Sequence, residues 1–567
     1  MKKFIRKTFL YLAIFSSMCR FADADERPNI IVILTDDSGY SDLGCYGGEI
    51  DTPHLDQLAA NGLRFKNFYN NGRCSPTRAT LMTGLDSGKV GFGAGTLGGW
   101  QREIELSAYR ARLPEEMPTM AELMKQSGYR TMMTGKWHLG GSLMKNHKNL
   151  QAQWKRTHPK WELTKEEIEK DFNALPAQRG FDDFFGLIEG ETHFFFTPKD
   201  RHEYLEGNSE AQLEYKKNYQ MHCYYENPNQ YPFTEHHGKN ALAFYCTDGM
   251  TDRSIEMIRD ASGEHKPPFF LYMAYRAPHL PLQAPQELVD KYTARYENLH
   301  LVEKNRVLGL TKEKLWPENQ PYKENFPKGK VIKNEADFKL RASIHAAMME
   351  SVDTNVGRVL GVLRELKQLD NTLIIYLSDN GTASHLGDLM NAPYRGSKAQ
   401  LWEGGIKTHC IAHWPKGIKA NSISESYAWV GDILPTCLEL GGSSYPKEFK
   451  GKKLGALDGR SLVPVLKGQS ISAPDYRFFN DKGQQSVIYQ GRWKLLIEPG
   501  WFINTSKVPG CAYELYDLQA DPGELKNIAS KHPERVRELE KACAEWQNQQ
   551  GLLEYGEILK LRPNHTQ

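Results

Sequence analysis

Four runs of the chain are apolar at consecutive positions: NIIVILT (29–35), RTMMTG (130–135), PFFLYMAY (268–275) and TLIIYLS (372–378). Strands that bury both faces read this way, because neither side-chain direction meets water. Between them lie stretches with apolar residues three and four apart, MPTMAELMKQSG (117–128) and ASIHAAMMESVDTNVGRVLGVLREL (342–366), which predict helices with one buried stripe. The alternation predicts an α/β fold with a large mixed, mostly parallel sheet covered by helices. Two polar segments, 141–176 and 292–334, are expected as insertions that cap one edge or pack outside the sheet. Past Gly468 the pattern changes. DYRFFN, QQSVIYQGRWKLLIE and YELYDL predict short antiparallel strands, and HPERVRELEKACAEWQNQ predicts a closing helix. A main domain over 25–468 is therefore expected to precede a smaller C-terminal α+β subdomain over 469–567.

The residues just past each apolar run carry more information than the runs themselves. NIIVILT leads into Asp36-Asp37, RTMMTG into Lys136 and His138, PFFLYMAY into Pro278-His279, and TLIIYLS into Asp379-Asn380. Parallel sheets bind ligands beyond the carboxyl ends of their strands. Ordinary turn chemistry favours Gly, Asn and Ser, whereas Asp-Asp and Lys-x-His suit a site. Two adjacent buried carboxylates repel unless a cation lies between them. With Asp379 and Asn380 at the same edge the donors are oxygens only, which favours a hard cation; several protein oxygens lean towards Ca²⁺, since Mg²⁺ keeps more water.

The stretch NNGRCSPTRATLMTGL (70–85) adds a thiol. Ser75 as N-cap and Pro76 in the first turn predict a helix running to Gly84, with Cys74 just outside its N-terminus. That is an anion-binding position, and Arg78 adds a fixed charge one turn in. Read alone, the same thiol also fits a low-pKa redox cysteine or a structural one.

Composition narrows the partners. The 567 residues are 25% charged with a net charge of +2 and interspersed signs, so no nucleic-acid footprint is visible. Residues 1–24 read as an export signal: Lys2, Lys3, Arg6 and Lys7, the apolar run TFLYLAIFSSM, and a small-x-small cleavage site ending at Ala24. A lipoprotein anchor through Cys19 is disfavoured by bulky Met18. No later run is long enough for a transmembrane anchor, so a periplasmic or secreted protein is expected. The 9 cysteines form no C-x-x-C pair, which argues against a zinc ribbon; Cys223 with Cys246, or Cys511 with Cys543, are conceivable pairs.

Taken together, C-S-P-T-R-A-T-L-M-T-G (74–84), Asp36-Asp37, Gly135-Lys136-Trp137-His138-Leu139-Gly140, Arg179-Gly180-Phe181-Asp182, Ala277-Pro278-His279, Ser378-Asp379-Asn380-Gly381, and Arg395-Gly396-Ser397-Lys398 with Glu403-Gly404-Gly405 resemble the blocks of type I sulfatases, and bacterial arylsulfatases in particular. The resemblance spans roughly residues 28–530 and implies an alkaline phosphatase-like sheet with 25–468 as the catalytic domain. It implies that a maturase oxidises Cys74 to formylglycine before folding. Ca²⁺ would then be bound by Asp36, Asp37, Asp379, Asn380 and the modified Cys74. One hydroxyl of the hydrated aldehyde would attack sulfur, and the second, helped by His138, would expel sulfate. Arg78 would stabilise the hydrated aldehyde, Lys136 and Lys398 would neutralise the sulfuryl oxygens, and His279 with Lys398 would assist the leaving group. Lys407 stands where many relatives carry Arg, beyond the catalytic lysine.

The expected substrate is a sulfated sugar or glycan, with Trp100, His193 and His385 as candidate lining outside the shared blocks. Two other readings compete: a phosphate or phosphonate monoester hydrolase of the same superfamily, and a non-catalytic binder of sulfated glycans. Gly93-x-Gly95-x-x-Gly98 imitates a dinucleotide fingerprint but follows no strand, and reads better as a loop near the site. The run His193-Phe194-Phe195-Phe196 reads better as core than as a ligand platform.

Overall fold

Ile30, Val32 and Leu34 belong to one buried apolar cluster, whereas Ile31 and Ile33 belong to another. The strand they form, β1 (Asn29–Asp36), is thus core on both faces, as its unbroken apolar run requires. The computed structural model describes residues 26–93, 106–141, 165–188, 194–196, 225–226, 244–297, 335–383, 389–481, 485–499, 513–553 and 557.

The further strands of the main sheet are β2 (Leu63–Tyr69), β3 (Arg130–Lys136), β4 (Asp183–Leu187), β5 (Tyr225–Glu226), β6 (Phe269–Pro278), β7 (Thr372–Ser378), β8 (Lys407–His413), β9 (Ser422–Ser424) and β10 (Ala428–Trp429). They pair in the order β9-β2-β8-β7-β1-β6-β3-β4-β5, with β10 also on β2. The centre is parallel: β1 lies between β6 and β7, and β3 between β6 and β4. β8 runs antiparallel to both its neighbours, and β5 antiparallel to β4, so the sheet is mixed. The carboxyl ends of β1, β3, β6 and β7 therefore meet at one edge.

Helices cover the two faces. On one lie α1 (Pro53–Ala60), α4 (Cys246–Ala261), α5 (Gln286–Glu297) and α6 (Glu335–Glu365); on the other lie α2 (Cys74–Thr83), α3 (Met120–Gln126) and α7 (Ile433–Leu440). α3 starts where its sequence says, with Thr119 and Glu122 closing a capping box. α2 begins at Cys74 with Arg73 as N-cap, two residues earlier than Ser75 and Pro76 suggested. The reason is that the first helical bond runs from Thr77 N–H to the Arg73 carbonyl, 3.1 Å. Cys74 is thus the first residue of the helix, and Gly84, at φ 65°, ends it.

Backbone contact brings the edge loops together. A Cβ on Gly381 would lie 1.8 Å from the Gly404 carbonyl oxygen, so only glycine lets the loop after β7 touch the Glu403-Gly404-Gly405 turn. The C-terminal part forms a separate antiparallel sheet of β11 (Arg477–Asp481), β12 (Gln485–Gln490), β13 (Trp493–Ile497) and β14 (Tyr513–Asp517), closed by α8 (Pro533–Gln550). Val487, Tyr489, Leu496 and Tyr516 join the core of the main sheet, while Ile488, Leu495 and Leu515 pack under α8. No helix among the described residues is long and apolar enough to cross a membrane.

Candidate active site

β1 ends in Asp36, and Asp37 follows at φ 73°, a left-handed conformation that a non-glycine residue holds only under constraint. The turn points both carboxylates into the edge between β7 and β6. Asn380 Nδ2 donates to Asp37 Oδ1 at 2.7 Å, and Asp37 N–H to Asp379 Oδ1 at 3.3 Å. The Cys74 thiol faces Asp36 Oδ1 at 3.2 Å and Asn380 Oδ1 at 3.4 Å. Asp36, Asp37, Cys74 and His279 each bring one ligand atom within 4.8 Å of the others, a group able to hold a metal ion.

Cations are interleaved with these acids. Arg78, wholly buried, sends Nε and Nη2 to Asp379 Oδ2 at 3.0 and 2.8 Å and Nη1 to the Lys136 carbonyl at 2.7 Å. Lys136 Nζ bonds Asp36 Oδ2, and Lys398 Nζ bonds Asp37 Oδ1. His279 Nε2 stands 3.7 Å from Asp37 Oδ2, while its Nδ1 lies 2.7 Å from the Leu280 carbonyl. His138, at φ 58°, follows β3 and feels the charges of Lys136 and Arg78. The side chains of Asp36, Arg78 and Lys136 are 0% exposed, against 19% for Lys398 and 11% for His279. Among the described residues, the Lys398–His279 side of the cluster is the part that meets solvent.

Burial and neighbouring charge set the protonation states. Burial raises the Asp36 carboxyl, but Lys136, His279, Arg78 and Lys398 outweigh it and hold the group well below its usual range. Burial and the Asp36 charge push Asp379 up. Burial, with Lys136 and Arg78, keeps His138 neutral, and burial with Lys398 lowers His279 to about 3. The Cys74 thiol goes the other way: burial first, then Asp36 and Asp379, push it up to about 12. The helix N-terminus would favour a thiolate, yet desolvation and carboxylates dominate here. As a thiol, Cys74 is a poor nucleophile in this site.

A catalytic edge of this kind, with acids, lysines and a cysteine at a helix start, has a known family. The sulfatase family model matches residues 28–443. The chain belongs to the sulfatase family. A second model, the C-terminal region of N-sulphoglucosamine sulphohydrolase, matches residues 397–549 of this sulfatase. It is 30% identical to an uncharacterized sulfatase of Schizosaccharomyces pombe over 91% of this chain and 92% of that one. It is 26% identical to human N-acetylgalactosamine-6-sulfatase over 81% of this chain and 69% of the relative. The crystal structure of Ps i-CgsB with k-i-k-neocarrahexaose superposes with a TM-score of 0.63 at 25% identity, covering 92% of both chains. This sulfatase is a sulfuric ester hydrolase with the mixed, mostly parallel sheet of its relatives.

The structure gathers Asp36, Asp37, Cys74, Arg78, Lys136, His138, His279, Asp379, Asn380 and Lys398 at this edge. Trp100, His193 and His385 lie outside the described residues, as do Gly95 and Gly98 and the cysteines Cys223 and Cys511. Phe194 is buried core, stacked under Arg276 with its guanidinium 4.6 Å from the ring centroid. Tyr272 was missed by sequence reasoning: its hydroxyl stands 3.5 Å from Arg78 Nη1. Nothing in PFFLYMAY separates that tyrosine from its apolar neighbours.

Proposed function

We propose that this sulfatase is exported and removes sulfate from a sulfated sugar, using formylglycine made from Cys74 by a maturase and one Ca²⁺ ion. The observation that carries the proposal is the Cys74 thiol. It sits at the centre of the charged edge, faces Asp36 and Asn380, and is pushed up to about 12, so the position is central and the unmodified group is wrong for the chemistry.

The donor set fits a hard cation. Asp36 and Asp37 bring carboxylate oxygens within 4.8 Å of Cys74 and His279, and Asp379, bonded to Arg78 and the Asp37 N–H, and Asn380 stand beside them as further oxygen donors. Ca²⁺ bound there would supply positive charge to the hydroxyl at position 74 and to a sulfuryl oxygen. Asp36, Asp37 and Asp379 balance Arg78, Lys136 and Lys398, so a divalent cation leaves the pole positive and ready for an anionic ester. The hydrated aldehyde offers one hydroxyl to attack sulfur and a second to release sulfate. Neutral His138 would accept the proton of that second hydroxyl. Lys136 and Lys398, which bond Asp36 and Asp37 here, would draw charge from the sulfuryl oxygens. Free His279 keeps its proton on Nδ1 against the Leu280 carbonyl, so it takes up a second proton with the incoming anion and hands one from Nε2 to the departing alkoxide. The sugar reading rests on relatives whose names carry an aminosugar sulfate and a carrageenan-derived oligosaccharide.

Sulfate release from a panel of sulfated mono- and oligosaccharides, beside nitrophenyl sulfate and nitrophenyl phosphate, tests the reading. Turnover of sulfated saccharides is expected to lead. Efficient phosphate ester cleavage would replace it with a phosphomonoesterase, and turnover of aryl sulfates alone would remove the glycan.

A further inference from the structure

The tip of the C-terminal hairpin touches both loops that carry the reacting pole. Asp481, the last residue of β11, and Gln485, the first of β12, are register partners at the connected end of the pair. Asp481 receives two N–H groups of Arg73, from Nε and, at 3.0 Å, from Nη2. Arg73 is the residue before Cys74. Gln485 Nε2 donates to the Ala399 carbonyl at 2.8 Å. Ala399 is the residue after Lys398. Ala399 N–H in turn donates to the Gly72 carbonyl at 2.9 Å, which closes a ring from Asp481 through Arg73, Gly72 and Ala399 to Gln485. Gln485 is 2% exposed, Asp481 4%, Ala399 3% and Arg73 8%, so the ring is buried.

Ala399 stands at φ 69°. A left-handed alanine is strained and persists only where its surroundings hold it. Here both of its main-chain groups are fixed, one by the loop before Cys74 and one by Gln485. That conformation turns the chain so that Lys398 reaches Asp37 Oδ1 while Ala399 points into the core. Resting on the sulfate-ester reading above, we propose that Gln485 and Asp481 are positioning residues: the C-terminal hairpin sets the separation between position 74 and Lys398. The C-terminal sheet is then part of the catalytic apparatus, acting through Ala399 and Arg73 without touching substrate.

A double-mutant cycle in the full, calcium-loaded chain tests this. Gln485→Met keeps the length of the side chain and removes its donor. It is expected to lower kcat/KM on nitrophenyl sulfate by ~10 to 10², the scale of a small misplacement, and to weaken inhibition by inorganic sulfate in parallel. In a Lys398→Met background the same change is expected to alter sulfate affinity less than about twofold, because the group it positions is gone. Calorimetric sulfate binding replaces inhibition where turnover is too low. Equal losses in both backgrounds, or a Gln485→Met loss explained by a matching fall in Tm, would make the hairpin a structural brace only and overturn the proposal. Asp481→Asn, which keeps an oxygen towards Arg73, serves as the second variant. Full rates in both single variants, or failure of both to fold, overturn it equally. A wild-type chain that neither binds inorganic sulfate nor releases it from any ester would remove the underlying sulfate site instead.

Discussion

Two buried charge clusters lie within this fold, and they differ in kind. The seam cluster joins the main sheet to the C-terminal sheet. Glu403 Oε1 takes Lys494 Nζ at 3.0 Å and the Tyr489 hydroxyl, Oε2 takes the Tyr69 hydroxyl at 3.0 Å, and Glu524 takes Lys494 Nζ at 2.7 Å and the Glu403 N–H at 2.6 Å. Lys494 and Glu524 are wholly buried and the cluster has no open side. The catalytic cluster is equally rich in ion pairs, but it opens past Lys398 and His279, holds two residues at positive φ, Asp37 and His138, and crowds ligand atoms within 4.8 Å. Burial and pairing therefore do not distinguish a site from a brace. Backbone strain does not either, since Glu524 of the seam stands at φ 56°; an exposed side and a crowd of metal-ligating atoms do.

Substitutions on the two sides should break in opposite ways. The largest effect is expected at Cys74. Cys74→Ala should lose sulfate release by on the order of 10⁴ to 10⁶, as removal of a nucleophile does, with the urea midpoint nearly unchanged. Mass spectrometry of the wild-type peptide spanning Arg73–Arg78 should show an aldehyde in place of the thiol, and a fully unmodified thiol in undiminished enzyme would contradict the mechanism.

Lys494→Met is the reverse case. It leaves Glu524 buried without its cation and Glu403 with Lys407 alone, 3.7 Å away, and should destabilise by about 3–5 kcal/mol in urea unfolding. Treatment with a chelator, which would strip the proposed cation, should do the opposite, lowering turnover by ~10² to 10³ with a smaller change in unfolding.

At the rim of the catalytic cluster, His279→Ala should slow sugar sulfates by ~10² or more and nitrophenyl sulfate far less, because a phenolate leaves without a proton. Equal losses on both would make His279 a binding group. The smallest effect sits outside both clusters. His409, wholly buried with Nδ1 3.1 Å from the Gly39 carbonyl, is lowered by burial to about 4. The unfolded chain binds its proton near 6.5 and the folded chain does not, so stability is complete above 6.5 and falls as pH drops towards 4, by about 3 kcal/mol at most. His409→Gln should flatten that part of an acid-unfolding curve.

The four apolar runs determined the central strands by themselves, since a strand buried on both faces has no other way to be written. They also placed the candidate site residues at the edge, because Asp36-Asp37, Lys136, His138, His279 and Asp379-Asn380 sit within four residues of a strand end and need no long-range contact to be placed there. The start of α2 was legible to within two residues, because Ser75 and Pro76 suit a first turn wherever the helix begins just before them. What the tertiary structure decided is everything that depends on loops meeting across the sheet. Arg78 clamps Asp379 rather than pointing at solvent, His279 joins Asp36, Asp37 and Cys74 within ligand distance, and Tyr272 stands by Arg78. Asp481 and Gln485 reach loops 408 and 86 residues away in the chain. No local periodicity records such pairs, because apolar burial fixes which way a strand faces, whereas the partner of a buried polar group is fixed only when two distant segments close on each other and exclude water.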